Sequence, residues 1–322
     1  MTDVMIDARD LTKHYGPVAA LKNASFQVKR GEVVGFLGPN GAGKTTTMKI
    51  LTCFIAPSGG TARVGGADIF EDSIAVREVI GYLPENTPIY TEMLVFEYLE
   101  FVGKMRGLSG SALQTRLRTV VEETSLGEVI GKSIAEISKG FRQRVGLAQA
   151  LIHEPPVLIL DEPLSGLDPN QAAEIRELIR EIGRERTVIL STHNLAEVQM
   201  TCGRVLIISQ GQLVADDTPE ELAARAGKPR FVATLKQNGH SASDIREAFS
   251  AIGDAQTVKE QASAAAGELI VEVVPKGNED LRAEIFQAAV SANLVLLGLE
   301  RHGENLEDIF RQLTMGKTGA SS

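Results

Sequence analysis

Apolar and polar residues alternate roughly from Val4 to Tyr15 and again from Leu21 to Val28, with Gly16-Pro17 between them. A period of two sends successive side chains to opposite faces, so this pattern predicts an antiparallel pair of strands joined at the Gly-Pro turn. The apolar run Val33-Val34-Gly35-Phe36-Leu37 reads as a further strand, and Thr45 to Thr52 as a helix that Pro57-Ser58-Gly59-Gly60 breaks. Gly60 to Val64 with Gly65-Gly66 reads as a short hairpin, and Ile80 to Leu83 as a buried strand ended by Pro84. From Leu94 to Gly107 and from Ser111 to Thr124 the period lengthens to that of helices, with Leu113, Leu117, Val120 and Val121 on one face. A further helix carries Val145, Leu147, Ala148 and Leu151. Val157 to Leu160 is solidly apolar, as a strand inside a parallel sheet must be. Asp168-Pro169 then opens a helix with Ile175, Leu178, Ile179 and Ile182 on one face; Thr187 to Leu190 is a strand, Val205 to Ser209 and Gln212 to Ala215 a hairpin, and Pro219 to Ala226 a closing helix.

The pattern changes after Gly227-Lys228-Pro229. Strand, helix, strand, strand, helix, strand are expected at 231–235, 243–252, 255–259, 269–274, 280–292 and 294–299. That βαββαβ order predicts a small α+β domain of ferredoxin-like topology. The Ala-Ser-rich stretch Gln261 to Gly267 fits its hairpin connection, and Leu306 to Leu313 a final docking helix. The expected division is 1–226 for the main domain, with a helical insert at about 86–150, then 227–315 for the accessory domain and 316–322 for a disordered tail.

Chemistry concentrates at Gly38-Pro39-Asn40-Gly41-Ala42-Gly43-Lys44-Thr45, between a predicted strand and a predicted helix. Such a loop turns successive backbone N–H groups toward one point and adds the positive end of the helix dipole, so triphosphate is its natural occupant. Lys44 can reach the β- and γ-phosphates, the Thr45 hydroxyl can ligate Mg²⁺, and Thr46 can assist. A chance glycine turn would lack the flanking strand and helix. The second GKT, at Gly316 to Thr318, has neither and reads as tail.

Asp161 and Glu162 end the apolar strand at 157–160, where an open α/β sheet gathers its site. In the usual division Asp161 holds the metal and Glu162 polarises the attacking water; a mere helix cap is the structural alternative for Glu162. His193, after the next strand, can hydrogen-bond a γ-phosphate. Ser138 and Gly140 precede a helix and form a second anion-binding terminus. Tyr15 either stacks on an adenine ring or is a half-buried aromatic at a strand end. His240 and His302 have no partner that sequence reveals, and solvated structural roles suit them.

The 322 residues exceed the roughly 100–200 typical of one domain, which agrees with a larger and a smaller unit. No stretch reaches the roughly 18 apolar residues of a membrane helix, and the first residues show no signal-peptide pattern, so a soluble, cytoplasmic chain is expected. Cys53 and Cys202 lie far apart without metal-ligand spacing and read as buried, reduced thiols. The net charge of −9 argues against a broad nucleic-acid surface.

Taken in order, these motifs resemble those of the ATP-binding subunit of an ABC transporter, from about Val4 to Ala226. Tyr15 is similar to the adenine-stacking aromatic, Gly38 to Thr45 to the Walker A loop, Glu85 to the Q-loop residue and Ile137 to Phe141 to the signature. Asp161 and Glu162 resemble the Walker B pair, Ser165 to Asp168 the D-loop, and His193 the switch histidine. The wording of GYLPEN, SKGFRQRVGLAQAL and DEPLSGLDPNQ is most similar to exporter-branch ATPases that include gliding-motility, multidrug and copper-maturation systems. The resemblance implies ATP and Mg²⁺ as cofactors, with Thr45, Asp161 and Glu85 toward the metal. It implies a head-to-tail pair of chains in which Ser138 and Gly140 of one copy cap ATP on the other. It also implies transmembrane permease subunits as partners and a place at the inner face of the membrane. Two departures stand out: Glu85 replaces the family's usual glutamine, and Ile137, Lys139 and Phe141 replace its more frequent Leu, Gly and Gln. An accessory βαββαβ domain in such chains is expected to regulate or to stabilise a dimer. The alternative is a nucleotide-switched scaffold of an envelope or motility complex that moves no solute. A small-molecule kinase would have no use for Ser138-Gly140 or His193.

Overall fold

The alternating start of the chain forms β1, Val4–Tyr15, and β2, Val18–Lys29, paired antiparallel with Tyr15 opposite Val18. The next elements follow in chain order: β3 Val33–Leu37, α1 Lys44–Leu51, β4 Gly59–Val64, β5 Ala67–Asp68, α2 Ser73–Glu78 and β6 Ile80–Leu83. Then come α3 Val95–Met105, α4 Gly110–Glu123, α5 Lys139–Leu151, β7 Val157–Asp161, α6 Pro169–Gly183 and β8 Thr187–Thr192. The series continues with α7 Leu195–Thr201, β9 Arg204–Ser209, β10 Gln212–Asp217 and α8 Pro219–Arg225. The computed structural model describes residues 4–225, 230–236, 241–262, 267–277, 279–302, 310 and 313–314. Gly227-Lys228-Pro229, His240, the His302 side chain, most of 306–313 and the tail with its second GKT lie outside the described residues.

Two compact units emerge, Met1–Pro219 with Leu313–Ser322 and Glu220–Gln312. In the first, an antiparallel sheet ordered β2-β1-β4-β5 accompanies a six-stranded sheet ordered β10-β9-β3-β8-β7-β6. Within the larger sheet β9, β3, β8, β7 and β6 run parallel, and β10 closes the edge antiparallel to β9. Parallel strands end on one edge, so the segments after β3, β7 and β8 emerge together; that edge is where open α/β sheets place their sites. Met48, Ile50 and Leu51 of α1 are fully buried in a core shared with Ile6, Leu11 and Val28 of the antiparallel sheet and Val34, Phe36 and Ile159 of the parallel one. Phe26 and Phe36 join the sheets with ring centroids 5.6 Å apart. Burying each such side chain contributes about 1.5–3 kcal/mol. A helix clamped from both sides holds the loop before it still.

Two short helices, α2 and α7, were not anticipated from the pattern; at six and seven residues they hold fewer than two full turns of periodicity. The face expected on α4 also differs. Arg116 is buried there beside Leu113, Leu117 and Val120, while Val121 is only half-buried. The Arg116 guanidinium donates to the Leu151 carbonyl at 2.9 Å and the Ile152 carbonyl at 3.1 Å, satisfying the end of α5, and pairs with Glu123 at 3.1 Å.

The second unit comprises β11 Arg230–Lys236, α9 Ala242–Ser250, β12 Ala255–Ala262, β13 Glu268–Pro275, α10 Arg282–Ser291 and β14 Val295–His302. Its sheet order is β12-β13-β11-β14, antiparallel throughout, which is the split-βαβ arrangement of the ferredoxin-like topology. Phe231, Ala233 and Leu235 alternate inward along β11 to meet Ile245, Phe249 and Ile285 from the two helices.

Candidate functional site

The loop from Gly38 to Gly43 closes on itself through the Ala42 N–H, which donates to the Pro39 carbonyl at 3.1 Å, while the Gly38 N–H donates to the Thr192 carbonyl of β8 at 3.2 Å. A Cβ on Gly38 would lie 2.5 Å from the Ile208 carbonyl oxygen, and Gly43, with φ of 112°, occupies backbone space that other residues rarely adopt. Gly43 is also the residue from which α1 starts, with no side-chain cap. The N-terminal N–H groups of α1 therefore face the cleft.

Lys44 is only 6% exposed. Its ammonium donates to the carbonyls of Gly38 at 2.7 Å and Pro39 at 3.3 Å and pairs with Glu162 Oε1 at 3.2 Å. The other Glu162 oxygen lies 3.0 Å from His193 Nδ1, so one carboxylate bridges the lysine and the histidine. Glu162 has φ of 48° and its N–H donates to both the carbonyl and the hydroxyl of Ser191, at 3.1 and 3.0 Å. A left-handed residue at this point costs about 1–3 kcal/mol and swings the side chain out of the strand's alternation toward Lys44. Glu162 caps no helix among the described residues, the following helix being capped by Asp168, and it lines the cleft.

Asp161 is fully buried. Its Oδ1 accepts from the Ser191 hydroxyl and, at 3.3 Å, from the Thr45 hydroxyl. Oδ2 has no hydrogen-bond partner among the described residues. Burial holds the Asp161 carboxyl above the usual carboxylate range, against the lowering effect of the Ser191 and Thr45 hydrogen bonds. A buried carboxylate oxygen without a donor, beside a threonine hydroxyl, is the donor set a hard cation takes. No group of three or more His, Cys, Asp or Glu gathers among the described residues, so most ligands of such a cation would be phosphate oxygens and water, as Mg²⁺ prefers.

Asn40, Gly41, Gly43, Lys44, Thr45, Thr46, Glu85, Glu162 and His193 line one open cleft of about 500 Å³, together with Ala20 and Ser165. Asp161 lines a second cavity, which shares Thr45 and Glu85 with the cleft. Other expected residues stand apart. Tyr15 is 48% exposed with the Lys13 ammonium 5.4 Å from its ring centre, and it does not line the cleft. Ser138 caps α5, its hydroxyl accepting from the Phe141 N–H at 3.3 Å, and with Gly140 lines a separate hollow alongside Arg144, Gln171 and Glu174. Asp168 caps α6, accepting from the N–H groups of Asn170 and Gln171. Cys53 is half-buried and Cys202 buried, both as free thiols.

Sequence reasoning passed over Ser191 and Ala20. Ser191 holds both Asp161 and Glu162, and its signal was the parallel register in which Asp161 pairs with Ser191.

The parallel strands, the loop between β3 and α1 and the acidic end of β7 define a nucleoside triphosphatase of the P-loop class. Residues 21–165 match the sequence pattern of the family described as ABC transporter. The chain is 34% identical over 308 residues to the uncharacterized ABC transporter ATP-binding protein YxlF of Bacillus subtilis, covering 95% of this chain and 98% of that protein. It is 31% identical over 315 residues to the linearmycin resistance ATP-binding protein LnrL of the same organism, covering 98% and 99%. A daunorubicin resistance ATP-binding protein of Streptomyces coeruleorubidus is 35% identical over 240 residues, covering 74% and 76%. Among solved structures, an ATP binding subunit of an ABC transporter superposes with a TM-score of 0.62 at 31% identity, over 69% of this chain and 92% of the other. The chain belongs to the ABC transporter family, as an ATP-binding subunit and an ATP hydrolase.

Proposed function

We propose that this chain binds Mg-ATP in the cleft between α1 and the ends of β7 and β8 and spends its hydrolysis on driving an export permease. The observation that carries this reading is the convergence of Lys44, Thr45, Glu162 and His193 on that one cleft, with Asp161 held behind Thr45 by its hydroxyl. Backbone N–H groups of Asn40 to Thr46 receive the phosphates, and Lys44 neutralises the outer two. Thr45 and Asp161, with Glu85 at the rim, hold the metal, which supplies charge neutralisation across the phosphates when bound. Glu162 accepts the proton of the attacking water. His193, its Nδ1 engaged by Glu162, offers Nε2 to the γ-phosphate.

Ser138 and Gly140 lie off the cleft at the N-terminal end of α5, beside Arg144, which supports their use by a second copy of the chain in a head-to-tail pair. Asp168 then steadies the turn between the two sites, and Tyr15 stacks on the adenine. The permease is proposed to dock on the face where Phe54 and Met105 stand 72% and 71% exposed, with Phe101 lining the same hollow and Tyr90 at 5.8 Å from the Phe101 ring. An apolar patch of that extent on a chain with net charge −9 marks a partner surface. No helix among the described residues is long and apolar enough to cross a membrane, so attachment at the inner face falls to that partner. The drug-resistance names of the relatives support export of drug-like solutes.

The test is ATP-dependent accumulation of candidate drugs in sealed inverted vesicles that hold the chain and its permease. Uptake by wild type and none by Glu162→Gln is the expected outcome. Membrane-stimulated hydrolysis without movement of any solute would overturn transport in favour of a mechanical role.

A further inference from the structure

We propose that Tyr82 is a positioning residue for the metal end of the cleft, its hydroxyl donating into the cavity that Asp161 and Glu85 share. The inference rests on the reading of Thr45 and Asp161 as the metal's holders.

Tyr82 lies on β6, in register with Ile159 of the parallel strand β7. Paired residues share a face and faces alternate along a strand, so Tyr82 stands on the side of the sheet that also carries Asp161, two residues beyond Ile159. Its ring packs against the core under α1. Tyr82 lines a cavity of about 420 Å³ together with Thr45, Lys49, Glu85, Arg106, Gln149 and Asp161. The Tyr82 Oη is buried and has no hydrogen-bond partner among the described residues, and the same holds for Asp161 Oδ2.

A buried donor and a buried acceptor in one cavity, each lacking a partner, is an arrangement that folding alone does not favour. Both are satisfied at once by a polar occupant such as the water shell of a bound cation. Burial pushes the phenol up, so Tyr82 keeps its proton as a donor. Glu85 makes such a donor useful. Glu85 and Asp161 bring two carboxylates to a cavity that Lys49 and Arg106 also line, and a neutral O–H supplies a donor there without adding a further charge.

Tyr82→Phe deletes one oxygen. Binding of a fluorescent N-methylanthraniloyl ATP is titrated in EDTA and then against Mg²⁺, with Mn²⁺ affinity followed by electron paramagnetic resonance and melting recorded without metal. Asp161→Asn serves as the reference. Removing an outer partner of a metal site weakens it about tenfold or more. The expected result is a roughly tenfold loss of Mg²⁺ and Mn²⁺ affinity with EDTA binding unchanged and metal-free melting unchanged or raised. A Tyr82→Phe titration that overlays wild type while Asp161→Asn loses its Mg²⁺ response overturns the Tyr82 role and leaves the metal site intact. Equal weakening with and without metal, accompanied by a lower melting temperature, reduces Tyr82 to packing. An Asp161→Asn titration that overlays wild type removes the metal site and the Tyr82 role together.

Discussion

Glu162→Gln separates two effects that one carboxylate exerts on the cleft. Glu162 Oε1 stands 3.2 Å from Lys44 Nζ, and the two side chains are 9% and 6% exposed. At that separation the attraction amounts to about 5 kcal/mol for an effective dielectric constant of about 20. Desolvation of both groups cancels much of it, leaving the roughly 1.5–3 kcal/mol of a charge-assisted hydrogen bond. A γ-phosphate that reaches Lys44 displaces that bond and meets the carboxylate's charge as well. Glutamine keeps the shape and gives up the charge, so about 1.4 kcal/mol returns to binding, or a factor of about ten in affinity. The same exchange removes the proton acceptor, which lowers hydrolysis by about 100-fold or more. Fluorescent-ATP titration and single-turnover phosphate release measure the two effects separately, and size exclusion with ATP is expected to show a persistent dimer. Weaker binding than wild type, or hydrolysis at the wild-type rate, refutes the reasoning.

Ser191→Ala takes away the hydroxyl that donates to Asp161 and accepts from the Glu162 N–H; urea unfolding is expected to show a loss of about 1–3 kcal/mol, with Mg²⁺-dependent nucleotide binding weakened. Gly38→Ala sets a methyl group 2.5 Å from the Ile208 carbonyl oxygen; overpacking of about 1–3 kcal/mol should lower the melting temperature and abolish measurable ATP binding. His153 is held down to about 4 from 6.5, first by burial and then by Arg106, while its Nε2 bonds the Ile80 carbonyl. A depressed histidine means that the unfolded chain takes up the proton first. Its contribution is whole above pH 6.5 and is lost as the pH falls toward 4, so the urea midpoint should drop across that window and His153→Leu should flatten the drop.

Much of the site was legible because it is local. The loop from Gly38 to Thr45, Asp161-Glu162 at a strand end and His193 after the next strand each declare themselves within a few residues. What joins them is not local. The bridge from Lys44 through Glu162 to His193 depends on the left-handed backbone at Glu162, and the grip of Ser191 depends on which strands neighbour one another. Neither leaves a mark in a single segment. Helix faces were legible where only apolar residues fill them, as on α6, and failed on α4, where Arg116 is buried because carbonyls at the end of α5 need its donors. The βαββαβ order of the second unit sufficed for its topology, since few sheets accommodate that order, although β12 runs on to Ala262.

The cleft at Lys44 and the hollow at the start of α5 have no lining residue in common. If each completes the other only between copies, a single chain in dilute solution is half an enzyme, and turnover per chain should rise with concentration rather than stay constant. Two chains fastened to one permease escape this dilution, because tethering replaces bulk concentration with an effective one near the millimolar range. Activity is then gated by assembly: a chain made in excess of its membrane partner would hydrolyse little ATP, with no separate inhibitor needed to keep it quiet.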